Sequence, residues 1–178
     1  VPENQTPIDG NSSTSNVEGI PVSKKGATVW TNINYTNAKT NAESMISNEY
    51  VQTGLITGKA WDTTCHWIEY SLGSIKASAS LTDSRYYGNY KNSLAPANEN
   101  SGTKKTEGFS ENWKVKNIYD LAGNVWEWTL EFYSTSLPCV IRGGSCYDSG
   151  SSYPAKNRIS DNIGSYYDGI GFRVGLWK

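Results

Sequence analysis

Three cysteines, one histidine and a stretch dense in tyrosine, serine, aspartate and asparagine are the residues of this chain whose types could do chemistry. Cys65, Cys139 and Cys146 are too few for a disulfide framework, and with no CxxC pair and no histidine cluster they do not make a zinc site. Two of them could pair, Cys139 with Cys146 across a short connection, or all three could stay as thiols. His66 sits beside Trp67 in a helical pattern and has no signalled partner for acid–base or nucleophilic work, so it reads as an ordinary helix residue. No spacing of carboxylates recommends a glycosidase pair. In residues 146–168, by contrast, 14 of 23 residues are Tyr, Ser, Asp or Asn. Tyrosine offers large, stiff, amphipathic contact area with two torsions to freeze, while Ser, Asn and Gly offer adaptable hydrogen bonds. Such a segment can bind without catalysing, although the same residues also fill passive surface loops. Tyr147, Tyr153, Tyr166 and Tyr167 are its expected anchors, and Asp148, Asp161 and Asp168 its expected source of charge preference.

Those residues need a scaffold. A chain of 178 residues has the usual size of one domain, expected over residues 25–178 behind an extended lead-in, residues 1–24, that shows no periodicity. With 16 basic and 17 acidic residues the formal charge is −1, too weak a field to gather nucleic acid or anionic lipid. No apolar run nears the roughly 20 residues that cross a bilayer, and the polar start lacks the parts of a signal peptide. Neither nucleic-acid binding nor membrane insertion is therefore expected, and the chain reads as soluble. It starts at Val1 rather than Met, as a processed product or a piece of something longer would. Only 37% of residues are apolar, yet there are 12 Tyr and 7 Trp, so aromatic rings must supply much of the core, their N–H and O–H groups finding partners inside.

The spacing of Ala38, Ala42, Met45 and Ile46 predicts a helix over residues 35–48, entered through Asn34 or Thr36. A second helix is expected from an N-cap at Thr57, with Trp61, Cys65, Ile68 and Leu72 on one stripe and Gly73 as its end. Residues 73–113 read as long loops. Residues 125–132 alternate as a strand, Trp126, Trp128, Leu130 and Phe132 on one face and Val125, Glu127, Thr129 and Glu131 on the other. Residues 139–142 and 172–177 are two further strands, the latter with Phe172, Val174 and Leu176 on one side. Gly123 and Asn124 predict a tight turn, because both accept positive φ, and Gly143 and Gly144 predict close approach of backbone. Arg142 and Arg173, each set in an apolar strand, are expected to be buried or half-buried forks tying loops to the sheet.

The runs YDLAGNVWEWT (residues 119–129), RGGS (142–145) and GFRV (171–174) resemble the formylglycine-generating enzyme family, and the likeness covers residues from about Lys24 to the C-terminus. It implies an α+β, C-type lectin-like fold of the formylglycine-generating enzyme type: two helices around a small antiparallel sheet, with long ordered loops. Asp120, Gly123, Val125 and Glu127 match positions that hold a structural calcium in that family, a chemistry of carboxylates and turn carbonyls around a hard cation. Their alternative is a capped turn at Asp120 and an arginine partner for Glu127. Copper is not expected. The family's oxidase takes two cysteines three and eight residues after the serine of GGS, and here those places hold Asp148 and Tyr153. A histidine-bound iron, as in related sulfoxide synthases, cannot be built from His66 alone.

More closely, the pattern resembles virus and prophage proteins with this domain, among them the variable proteins of diversity-generating retroelements, in which template adenines are replaced during copying. Asn codons so altered yield Tyr, Ser, Asp, Cys, Gly and Ile, and the segment is rich in them. The implied variable, ligand-binding positions are Cys146, Tyr147, Asp148, Ser151, Tyr153, Asn157, Ser160, Asp161, Asn162, Ser165, Tyr166, Tyr167 and Asp168, between fixed borders at 142–145 and 171–173. The expectation is a non-catalytic binding protein whose partner is a protein or cell-surface molecule, associated with a virion or displayed on a surface. A structural virion or tail component, and an enzyme with an unrecognised site, are the alternatives.

Overall fold

In the computed structural model, which describes residues 16–72, 81–94 and 102–178, helix α1 (Tyr35–Ser44) starts where a cap allows it. The Asn34 side chain accepts the Asn37 N–H at 2.9 Å, and Ala38, Asn41 and Ala42 turn inward. Part of the expected lead-in lies along this helix: Gly19 N–H donates to Asn41 Oδ1 at 2.8 Å, and Asn41 Nδ2 donates to Val17 O at 3.0 Å. The expected continuation to residue 48 does not form. Thr53 Oγ1 accepts the Ile46 N–H at 2.9 Å and donates to Ile46 O at 3.0 Å, drawing residues 45–48 out of the helix and toward β1 (Gln52–Leu55). Helix α2 (Gly58–Leu72) is capped by Thr57, whose hydroxyl accepts the Ala60 N–H at 3.0 Å, and it buries Trp61, Cys65 and Ile68. Its expected end at Gly73 lies outside the described residues.

The short ladder β2 (Lys114–Val115) with β3 (Ile118–Tyr119) leads into β4 (Trp126–Phe132), the longest strand described. Strands β5 (Cys139–Arg142), β6 (Arg158–Asp161) and β7 (Ile170–Phe172) join β4 in the order β6-β5-β4-β7, with β7 parallel to β4 and the other pairs antiparallel. Strand β8 (Val174–Trp177) leaves this sheet and pairs with β1. The single strand expected over residues 172–177 is thus two, belonging to two sheets. The break falls at Arg173: Phe172 stands opposite Trp128, and Val174 opposite Leu55. Strand β6, inside residues 146–168, and β1, β2 and β3 were not expected.

Alternation along β4 holds for Trp126, Trp128 and Leu130, which pack with Trp30, Ile33, Leu55 and Ile141. It fails at Phe132, which is exposed beyond a register shift between Thr129 and Phe132. Glu127 and Thr129 on the opposite face are buried as well, so the sheet is covered on both sides. A second core joins Trp61, Cys65 and Ile68 of α2 to Leu81, Tyr90, Leu121 and Ala155. Buried rings have the partners their chemistry demands: Trp128 Nε1 donates to Ile33 O at 2.8 Å, Trp61 Nε1 to Ala155 O at 3.0 Å, and Tyr90 OH to Gly143 O at 2.7 Å. All three cysteines are free thiols. No helix among the described residues is long and apolar enough to cross a membrane.

Candidate ligand-binding face

The glycines at the end of β5 place the segment that follows. Gly144 has φ +78°, and a Cβ there would lie 2.3 Å from Tyr153 O, so only glycine lets the segment fold back on its own start. Cys146 N–H then donates to Asn124 O at 3.0 Å, with Asn124 itself at φ +65° in the expected turn. This tether corrects the reading of Cys146 as a surface residue. It is fully buried, and burial pushes its thiol up to about 11. Asp148 is likewise turned inward: Oδ2 accepts the Ser145 N–H at 3.0 Å, the Ser145 hydroxyl at 2.5 Å and Trp126 Nε1–H at 2.9 Å. It holds the turn instead of setting charge preference. Replacing Asp148 by Ala, which strands the buried indole N–H, is expected to cost about 1–3 kcal/mol in denaturant unfolding. Loss of ligand contact with unchanged stability would contradict that role.

The exposed tyrosines stand around this anchor. The Tyr153 ring meets Trp126 edge-on at 5.7 Å between centroids. Tyr147 OH donates to Asp168 Oδ2 at 2.5 Å, Lys104 Nζ pairs with Asp168 Oδ1, and Asn32 Nδ2 reaches the same oxygen at 3.4 Å. Burial works against the Asp168 carboxylate, yet these donors outweigh it and hold the group below its ordinary range. By accepting the phenol's hydrogen bond, Asp168 in turn pushes Tyr147 well above the usual tyrosine value. Asn32 N–H also donates to Tyr167 O at 3.1 Å, fixing the loop that exposes Tyr166 and Tyr167 at 54% and 58%. Thr31, Asn32 and Lys104 belong to this face and were not expected there. Lys104 stands in a charged stretch with Lys105 and Glu107, whereas nothing local marks Asn32, which adopts φ +54°.

The remaining candidates do not join that cluster. Ser151 is exposed and shares a hydrogen bond with Ser149 at 2.9 Å, while Asn157 Nδ2 donates to Ser152 O at 3.0 Å. Ser160 and Asp161 belong to β6, opposite Val140 and Cys139, at the far end of β5 from Arg142. There Asp161 Oδ1 accepts the Asn162 N–H at 2.7 Å and the Ser165 hydroxyl at 2.7 Å, which makes it a turn residue and corrects its assignment to charge preference.

Arg173 is the fork the sequence predicts, whereas Arg142 is buried but joins β5 to helix α2 instead of to a loop. Arg173 donates to the two Glu127 oxygens at 2.8 and 2.8 Å, and to the carbonyls of Tyr119 at 3.1 Å and Asp120 at 3.2 Å. Arg142 pairs with Asp62 and lies over the Trp61 ring. Asp120 and Glu127, two of the residues matched to a calcium site, share a cavity of about 310 Å³ with Glu107 and Arg173. Asp120 Oδ2 accepts the Gly108 N–H at 2.8 Å, and Gly123 O accepts the Val125 N–H at 2.8 Å. Burial, together with the neighbouring Glu127 and Glu107, pushes Asp120 up to about 6, and burial also raises Glu127. Three carboxylates thus face one guanidinium, and each carboxylate keeps lone pairs beyond those already used. No group of three or more His, Cys, Asp or Glu side chains among the described residues is arranged to hold an ion. Glu127 thus has the arginine partner and Asp120 the capped turn of the alternative reading, and a cation here would rest on these two carboxylates, since Gly123 does not line the cavity.

The model of the sulfatase-modifying factor enzyme 1-like domain matches residues 10–176. No curated protein matches the chain in sequence. Among solved structures, Treponema denticola variable protein 1 superimposes with a TM-score of 0.51 at 18% identity, over 83% of this chain and 54% of that one. PvdO from Pseudomonas aeruginosa gives 0.56 at 15% identity over 88% and 64%, and CarF gives 0.64 at 17% over 89% and 71%. The chain therefore spans 54% of the variable protein and 64% of PvdO. At these identities the likeness is one of fold.

Proposed function

The chain belongs to the sulfatase-modifying factor enzyme 1-like domain family, with the α+β, C-type lectin-like fold of the formylglycine-generating enzymes, and from that premise we propose that it is a non-catalytic, variable ligand-binding protein. Its binding face is centred on Tyr147, Tyr153, Tyr166, Tyr167 and Asp168, and its ligand is a protein or cell-surface molecule met by a virion, a prophage product or a displaying cell. One observation carries the reading: four tyrosines of one segment, between 36% and 58% exposed, stand on loops that glycines and inward-turned aspartates hold to the sheet. Rigid aromatic anchors on a fixed scaffold are what a binding surface needs and what passive loops lack. The likeness in fold to a variable protein from Treponema denticola supports it. So does Asp148, whose carboxylate is engaged by Ser145 and Trp126 at a place where the family's oxidase has a thiolate. The same reading gives the domain a structural calcium between Asp120 and Glu127 and no copper.

The surrounding DNA tests this directly. A near-copy of the coding region for residues 142–173, differing almost only at adenines and lying near a reverse transcriptase gene, is the expected finding, and its absence from the intact locus would sink the variable assignment. At the protein, replacing Tyr166 and Tyr167 together by Ala is expected to weaken retention on cell-surface preparations that hold the wild type at least about tenfold, since buried interface tyrosines are hot spots. The melting temperature should move by less than about 2 °C, because exposed side chains contribute little to folding. A large loss of stability would make them core residues.

A further inference from the structure

The Asp168 carboxylate is surrounded as a bound anion would be. Lys104 Nζ and Asn32 Nδ2 address Oδ1, the latter at 3.4 Å, and Tyr147 OH addresses Oδ2 at 2.5 Å. The ammonium is itself steadied by Thr31 Oγ1 at 2.8 Å. Exposure separates the partners: the Lys104 side chain is 14% exposed and that of Asp168 is 52% exposed. Lys104 and Asn32 come from outside residues 146–168, whereas the anion comes from within them. The scaffold thus supplies the cationic side of the pair, and the segment supplies the side that can be exchanged.

We propose that Lys104, Tyr147 and Asn32 form a carboxylate-binding cradle which Asp168 fills as a built-in stand-in, so that residue 168 decides whether this face accepts an acidic group from its ligand. The proposal rests on the reading of residues 146–168 as a binding face. With Asp168 in place the ammonium is neutralised, and the ligand meets mainly the rings of Tyr166 and Tyr167. With a small residue at 168, an ammonium, a phenol O–H and an amide N–H converge on the space one carboxylate has left. A nearly buried ammonium without a counter-ion is costly even with Thr31 still bound, and a carboxylate from outside restores the charge-assisted bonds. The expected ligand group is an Asp or Glu side chain or a chain terminus.

Asp168→Ala and Asp168→Ser, titrated with acetate against chloride at matched ionic strength, test the cradle. Both are expected to melt higher in acetate than in chloride and to show saturable shifts of the Asn32 side-chain amide signals, while the wild type shows neither. Adding Lys104→Met should weaken acetate binding at least about tenfold, the equivalent of about 1.4 kcal/mol. Equal responses to acetate and chloride would overturn the proposal, as would an unweakened response after Lys104→Met. Failure of both variants to fold even in acetate would overturn it too, since Asp168 would then be structural. The Tyr166 and Tyr167 experiment does not involve the cradle. If acetate fails while that pair still governs binding, the carboxylate assignment alone falls; if the pair fails while acetate binds, the broader reading does.

Discussion

Replacing Arg173 by Ala is expected to lower folding stability by about 3–5 kcal/mol, because it leaves a buried carboxylate without its cation. Glu127 is 5% exposed and gives both oxygens to this one guanidinium. The same fork also satisfies the carbonyls of Tyr119 and Asp120, just before the Gly123–Asn124 turn. The loss therefore reaches β4 and the turn that tethers Cys146 by its backbone. Arg173→Lys keeps the charge but not the planar fork, and should fall between wild type and Ala. Urea unfolding of the three proteins measures the series. A loss below about 1 kcal/mol for Ala would mean that Glu127 finds water or a proton instead. A double-mutant cycle with Glu127→Gln separates the pair's own coupling from the cost of stranding one partner.

Calcium is expected to reverse the effect of Asp120→Asn. Without the ion, burial sets the sign. Asp120 is raised from 3.8 to about 6, so the folded state holds its proton more tightly than the unfolded chain does. The resulting stabilisation is fully present below about pH 4 and is lost as pH rises through about 6. By pH 8 in EDTA the wild type has lost up to about 3 kcal/mol that Asn, neutral at every pH, retains. The asparagine variant should then melt higher than wild type. With calcium in excess the order inverts: the wild type gains about 2.7 kcal/mol at a hundred times the dissociation constant, and Asn, a weaker ligand, gains little. Thermal melts at pH 8 with EDTA and with calcium chloride read both halves. No response of the wild type to calcium would remove the ion from the proposed function, and an asparagine variant less stable in EDTA would show that the carboxylate is needed for its hydrogen bond to Gly108.

How far the fold was legible follows from the range of each interaction. The caps at Asn34 and Thr57 act within three residues, and the stripe of Trp61, Cys65 and Ile68 repeats within one helix, so a local pattern shows them. Strand β5 is a run of four residues and appears as read. Met45 and Ile46 misled because their spacing fits a helix while Thr53, seven residues on, binds Ile46 more effectively than another turn would. Strand β6 was hidden because Arg158, Ile159, Ser160 and Asp161 have no alternation that burial enforces. Its status as a strand comes from lying beside β5.

Residues 146–168 stand out in composition but not in arrangement. The thirteen candidate positions differ along the chain only in residue type, yet Cys146, Asp148 and Asp161 are spent on holding the segment, and Thr31, Asn32 and Lys104 arrive from elsewhere. The partners in the cradle are 136 and 64 residues apart in sequence, beyond any local signal.

By itself the sequence determined the class of scaffold, the turn at Gly123 and Asn124, the burial of Arg142, the half-buried fork of Arg173, and a segment chemically suited to contact. The scaffold follows from the resemblance carried by residues 119–129, 142–145 and 171–174, and the others from the steric or electrostatic character of a residue in its immediate neighbourhood. Tertiary structure alone decided which tyrosines stand free, which aspartates turn inward, and that Asp168 lies against a lysine held by Thr31. Exposure and charge pairing are properties of what packs beside a residue, and that is settled only when distant segments meet.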